Sequence, residues 1–194
     1  MAANRKPRWL FGVMLTGTLA LFCTLTACEP RNPAEFAQEL HNAGRYQESL
    51  EILREALAEG TQSPRIFFLY GQALRRTNQP QKAVWALREA AEHPDWMAPA
   101  NLELAAALMR SADWSGAVEA MDRVLEVRPE HGTALILRGE ALSQGNLDET
   151  AALEDFDRAL ELDPKNFRVH LLRISTLIGL ERTEEAGELI AEVE

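Results

Sequence analysis

The chain has 194 residues, with 30 acidic against 20 basic side chains and a formal net charge of −10. That balance speaks against nucleic acid and against electrostatic docking on anionic lipid, since both need a basic face. Its two cysteines, Cys23 and Cys28, both lie near the start, so packing and not a disulfide must hold the rest together.

The first 27 residues read as a leader and not as part of the fold. Arg5, Lys6 and Arg8 form a basic head, and Trp9 to Ala27 carries no charge. Leu25-Thr26-Ala27-Cys28 follows. This resembles the bacterial lipobox, which implies cleavage before Cys28 and a lipid on its thiol. An uncleaved membrane-spanning helix is the alternative, because the 19 uncharged residues nearly suffice to cross a bilayer. Removing the leader removes three cations and no acid, which takes the charge from −10 to −13. Residues 28–31 are then a lipidated cysteine and short tether. At about 3.4 Å per extended residue, the fold would begin on the order of 10–15 Å from the membrane. By the same resemblance Glu29, not being aspartate, leaves the outer membrane, facing the periplasm, as the expected location.

From residue 32 onward the pattern is helical. Asn32, Pro33 and Glu35 read as an N-cap, a first-turn proline and a capping-box acid. Gly44 suits a left-handed C-cap. Ser63-Pro64 opens a further helix, and Asn78-Gln79-Pro80 opens the next. His93-Pro94 closes that one. Ala98 to His131 then reads as two helices, the first with Leu102, Leu104, Ala105 and Leu108 at helical spacing. Asp113 is the N-cap of the second, which carries Ala117, Val118, Met121, Val124 and Leu125 and stops before Pro129. Gly145-Asn146 marks the next turn, Asp163-Pro164 closes a later helix, and Thr183 caps the last. No strand pattern and no low-complexity tract interrupts the series.

A fixed period orders these helices. Ser49, Ala83, Ala117, Ala152 and Ala186 recur at spacings of 34, 34, 35 and 34. Leu53, Leu87, Met121, Phe156 and Ile190 follow each by four residues, on the same helix face. Ala56, Ala90, Val124, Ala159 and Val193 form a third series. In the first helices Ala37, Gly71, Ala105 and Gly139 mark close crossings. The pattern resembles the tetratricopeptide repeat (TPR). It implies an all-α solenoid over 32–194, of about five helix-turn-helix repeats at 30–63, 64–97, 98–131, 132–166 and 167–194.

Two departures carry expectations. The fourth repeat has one extra residue around Asn146 to Ala151, read as a bulged turn or a longer second helix. The fifth has Ile174 where a small residue belongs, which should loosen its crossing. Its last helix carries Leu189, Ile190 and Val193 with Glu184, Glu185, Glu188 and Glu192 between them, and is expected to form an interface or to be solubilised by those acids.

A catalytic constellation is missing from the pattern. His41, His93, His131 and His170 are scattered, and there is no glycine-rich phosphate loop and no metal-binding cysteine pair. The expectation is a protein without enzyme activity, metal or cofactor. Glu154, Asp155 and Asp157 read as solvated helix-face acids. Trp85, Trp96 and Trp114 read as core or half-buried packing residues.

The resemblance also implies a concave groove lined by the second, fifth, ninth, twelfth and thirteenth positions of each first helix. Those are Arg65, Phe68, Gln72, Arg75 and Arg76, then Pro99, Leu102, Ala106, Met109 and Arg110, then Thr133, Ile136, Glu140, Ser143 and Gln144. Phe68, Leu102 and Ile136 would form an apolar stripe, with Arg75, Arg76 and Arg110 a basic spot beside it. Such a surface suits a protein or peptide segment with an acidic feature; the alternative is that Leu102 and Ile136 are interior. The lysine and asparagine of the chaperone-type carboxylate clamp are absent, since Ala34 and Gln38, Phe68 and Gln72, and Leu102 and Ala106 stand there. The expected role is a membrane-anchored scaffold in envelope assembly, of a pilus, a secretion channel or outer-membrane machinery. An adaptor or regulator of a periplasmic cell-wall hydrolase or protease is the alternative.

Overall fold

The computed structural model describes residues 31–193. The leader and Cys28 lie outside them. Ten helices and no strand occur among the described residues. They are α1 (Pro33–Asn42), α2 (Tyr46–Ala58), α3 (Pro64–Arg76), α4 (Pro80–Ala91), α5 (Pro94–Arg110), α6 (Trp114–Val127), α7 (Gly132–Gln144), α8 (Glu149–Leu162), α9 (Phe167–Gly179) and α10 (Thr183–Val193).

Local chemistry fixes the helix starts. Asn32 accepts from the Ala34 amide at 3.0 Å and Asp113 from the Gly116 amide at 3.1 Å. Each satisfies an amide that the helix itself leaves without a partner. Ser63 takes the N-cap place of α3 without making that bond. Thr183 is the first residue of α10 and not its cap. Pro94 does more than end α4: it opens α5, so that helix starts a turn before Ala98 and carries Pro99 inside it. A proline is tolerated at a first turn because the missing N–H has no helical partner there.

Each turn within a repeat is made by one residue with positive φ. They are Gly44 (72°), Asn78 (62°), Ala112 (57°), Asn146 (52°) and Glu181 (60°). One residue separates each from the next helix, except that Leu147 and Asp148 both stand between Asn146 and α8. The extra residue of the fourth repeat is therefore in the turn, and α8 keeps its register.

Packing follows the periodic series. Ser49, Ala83, Ala117 and Ala152 are all 0% exposed, as are Leu53, Leu87, Met121 and Phe156. Full burial of a side chain of that size contributes about 1.5–3 kcal/mol. A Cβ on Gly71 would meet the Leu87 side chain at 2.5 Å, and one on Gly139 would meet Phe156 at 2.7 Å. Glycine at these crossings lets the large residue of the second helix fill the space. In the fifth repeat Ile174 is buried with Leu153, Leu177 and Ala186 in a cluster separate from the main core. Ile190, the counterpart of the four fully buried residues, is 46% exposed, and no described helix covers it.

Sequential helices pack on one another, and the odd-numbered helices also touch: α1 with α3, α3 with α5, α5 with α7 and α7 with α9. The backbones of the even-numbered helices stay apart, and the Arg123 side chain of α6 reaches across, donating to the Ala91 carbonyl at the end of α4 at 3.5 Å. A double row in contact along one side and splayed along the other is curved, with α3, α5 and α7 on the inside.

One acid differs from expectation. Asp155 is 2% exposed, not solvated. Arg138 of α7 donates to it twice, Nε to Oδ2 at 2.8 Å and Nη2 to Oδ1 at 2.7 Å, and Nη1 donates to Asp122 Oδ1 at 2.7 Å. These carboxylates hold the Arg138 guanidinium charged, Asp155 foremost, against the opposing effect of its burial. A buried carboxylate persists when its lone pairs are matched in this way. Asp157 is also engaged, with Arg173 at 2.6 Å.

A candidate binding groove on the inner face

The inner face carries two adjoining clefts of about 340 and 320 Å³, which share Arg75, Ala106 and Leu137. Phe68, Leu102 and Met109 add apolar surface, and Trp114, Arg110 and Glu140 close the far side. Phe68 is held from behind by Trp96, with ring centroids 4.9 Å apart. Leu102, Ala106 and Met109 are half-buried in the floor, so the apolar stripe is accessible and not interior. In the fourth repeat it runs through Leu137, whereas Ile136 is half-buried against the core and lines neither cleft.

The charges are arranged differently from a simple basic spot. Arg75 pairs with Glu103 at 2.5 Å, with side chains only 17% and 16% exposed. That guanidinium is already neutralised. Arg168 pairs with Glu140, which also accepts from Gln144 at 3.1 Å. Arg110 is exposed and donates to the neutral Asn78 Oδ1 at 2.6 Å. Arg76 is exposed, with its guanidinium 5.9 Å from the Tyr46 ring centroid, and Arg65 is half-buried. Among the described residues these three arginines have no carboxylate partner, and Arg110 is the one of them that lines the clefts.

Gln72 is not free for a ligand. Its amide Nε2 donates to Glu103 Oε1 at 3.1 Å, which orients Oε1 toward His41 Nδ1 at 3.0 Å. Nδ1 therefore carries the imidazole proton, and His41 Nε2 faces the Ser49 hydroxyl at 2.9 Å. His41 is 5% exposed. Burial pushes its pKa below the ordinary value and Arg76 adds to this; the Gln72 hydrogen bond and the Glu103 charge pull the other way. This relay ties α1, α2, α3 and α5 together behind the groove.

Sequence reasoning named Phe68, Arg75, Leu102, Ala106, Met109, Arg110 and Glu140, which line the clefts, and Arg65, Gln72, Arg76 and Ile136, which do not. It missed Trp114, Leu137, Glu103 and Arg168. Trp114 starts a second helix, outside the positions considered for lining. Its signal was Gly145: a Cβ there would meet Trp114 Cβ at 2.5 Å, so the glycine makes room for the indole. No group of three or more His, Cys, Asp or Glu among the described residues could hold a metal ion.

Curved pairs of antiparallel helices with this period define a helical-repeat solenoid. The sequence matches the tetratricopeptide-repeat family over residues 35–96 and 102–166, more than half its length, and the chain belongs to that family. Among solved structures it is similar to MamA residues 41-end from Desulfovibrio magneticus RS-1. That match has 20% identity and a TM-score of 0.75, and covers 84% of this chain and 93% of that one. It is similar to YrrB at 17% identity and a TM-score of 0.73, covering 83% of this chain and 82% of that one. YrrB is described as a TPR protein with an unusual peptide-binding site. At such identities the likeness is one of fold. No curated protein sequence matches this chain.

Proposed function

We propose that the chain is a non-enzymatic, lipid-anchored scaffold that holds a segment of a partner protein in its inner groove. The observation that carries this is the groove itself. Its floor of Phe68, Leu102, Ala106, Met109 and Leu137 is accessible, and Arg110 stands beside it without a carboxylate partner among the described residues. Such a surface suits a segment that pairs apolar side chains with an acid. The peptide-binding site of YrrB supports the reading by analogy of fold. The lipobox-like Leu25-Thr26-Ala27-Cys28 supports an anchor on the envelope, and Glu29 supports the outer membrane with the solenoid in the periplasm. Envelope assembly is the role that joins the two.

Arg110→Glu reverses the charge of a side chain exposed to solvent, so it should weaken capture of the partner while leaving helicity unchanged. Arg75 is unsuitable for this test, because a glutamate there would face Glu103. Cys28→Ser should abolish fatty-acid labelling and leave the precursor uncleaved; equal labelling of both proteins would remove the anchor from the account.

A further inference from the structure

The outer face of the second repeat departs from its own period. Position 85 corresponds to 51, 119, 154 and 188 in the other repeats, and all four of those are glutamate. Exposed glutamate on the outside of a helix needs no partner, and the repeat is built without an aromatic there. Position 85 alone is tryptophan, and Trp85 is 51% exposed. The repeat period therefore does not call for an aromatic here.

Trp85 forms one wall of a cleft of about 710 Å³, with Leu57, Gly60, Phe67, Glu89 and His93 around it. Phe67 meets the indole edge-on, with centroids 5.5 Å apart, and Tyr70 lies 6.2 Å from it in a tilted arrangement. The indole is thereby fixed in orientation while one side stays open. Glu89 follows Trp85 by one helical turn, and it is exposed with no ion-pair partner among the described residues. No lysine or arginine lines the cleft. Lys82 and Arg88 lie on the flanks of α4, outside it, and Lys82 is directed to Gln79 Oε1 at 3.0 Å. The cleft also sits at the C-terminal ends of α2 and α4, where the helix dipoles are negative; the α4 end is already met by Arg123 of α6, at 3.5 Å from the Ala91 carbonyl and 3.3 Å from Glu92, which leaves the α2 end open. A fixed indole face, a carboxylate without an ion-pair partner and the open negative end of α2 make a receptor for a cation with an aliphatic stem.

We propose that the Trp85 cleft is a second docking site, which takes an arginine side chain from a partner protein. The guanidinium stacks on the indole and donates to Glu89, while its methylenes lie against Leu57. Arginine fits better than lysine because a planar fork can stack and pair at once. Because α4 belongs to the outer row and the groove to the inner one, the two sites can be filled together. The protein then joins two partners and does not merely hold one. The surrounding acidity disfavours an anionic bilayer as the occupant.

The test uses the full-length chain carrying 5-fluorotryptophan, held in zwitterionic nanodiscs, with the Trp85 fluorine signal assigned by its loss in Trp85→Phe. Trp85, Trp96 and Trp114, the tryptophans that follow Cys28, give separate reporters. Acetyl-Gly-Arg-Gly-amide should shift the Trp85 signal saturably and leave Trp96 and Trp114 in place. Glu89→Gln should weaken that binding about three-fold, the range of an exposed ion pair. Arg110→Glu should leave it unchanged, which separates this site from the groove. Equal shifts with the leucine tripeptide would make the cleft merely apolar and overturn the proposal. So would tighter binding of the glutamate tripeptide, or no shift with any probe. A Trp85 signal that moves on dilution of the protein alone would identify a second copy as the occupant. One that moves on exchange into anionic nanodiscs without peptide would identify the membrane; either result rejects the proposed ligand.

Discussion

Arg138 grips Asp155 through two parallel hydrogen bonds of 2.8 and 2.7 Å in the seam between α7 and α8. Asp155 has almost no contact with water, and the third guanidinium nitrogen reaches Asp122 on α6. One arginine thus links three successive helices. Asp155→Asn should destabilise the solenoid by about 3 kcal/mol, because it leaves a largely buried guanidinium short of a partner. The paired change Arg138→Met with Asp155→Leu should lose much less. Urea unfolding of the two variants checks this; equal losses would mean that the bidentate pair has no special role.

Gly139 and Gly187 are both helical and should respond oppositely to alanine. At Gly139 the new Cβ would lie 2.7 Å from Phe156 Cε1 and 3.1 Å from the Ala152 carbonyl oxygen. The backbone atom cannot yield cheaply, so a loss of about 1–3 kcal/mol is expected. At Gly187 nothing lies within 4 Å, and helix propensity should raise stability by up to about 1 kcal/mol. Shifts in the urea midpoint should therefore have opposite signs.

Ala112 occupies a left-handed turn at φ 57° without glycine's freedom. That conformation costs an L-residue about 1–2 kcal/mol, partly offset in Ala112→Gly by the added entropy of the unfolded chain. The variant should gain about 0.5 kcal/mol, seen as a rise in Tm of about 1–2 °C. Gly44→Ala is the reverse case and should lower Tm, although no atom crowds the new methyl group.

His41 gives stability a pH dependence of known sign. Its folded pKa lies below the ordinary 6.5, so the unfolded state binds the proton more readily. The contribution is complete above pH 6.5 and is lost as pH falls through the lower folded value. Chemical unfolding at pH 7.5 and 5.5 should show a drop that His41→Gln reduces. Glu48 and Glu185, whose pKa values are lowered by Arg45 and Arg182, act only below their ordinary 4.5 and do not confuse this window.

The fold was legible because its signal is repetition. Five small residues and five large ones in one register define which helix faces meet, and no single substitution can hide that. The turn of the fourth repeat needed coordinates, since one inserted residue lengthens a turn or a helix equally well on paper. The floor of the groove was legible for the same reason as the fold, through positions fixed in each first helix. Its charges were not. Arg75 and Glu103 are 28 residues apart, and nothing local says that they neutralise each other. Asp155 resembled its exposed neighbour Glu154 in sequence, yet its side of α8 faces Arg138. The exposure of Trp85 was hidden as well, because a tryptophan between alanines and leucines reads as core until its place in the period is compared with four glutamates.

On the proposed function the inner groove, and not the outer face of α6, receives the segment that Arg110 helps to hold. A photo-crosslinking residue in place of Met109, in the groove floor, tests it in intact cells against the same residue at Glu119, on exposed α6. Position 109 should give a discrete adduct that disappears when Arg110→Glu is added, and position 119 should give none of that mass. Equal adducts from both positions, or an adduct from 109 that Arg110→Glu leaves untouched, would contradict it.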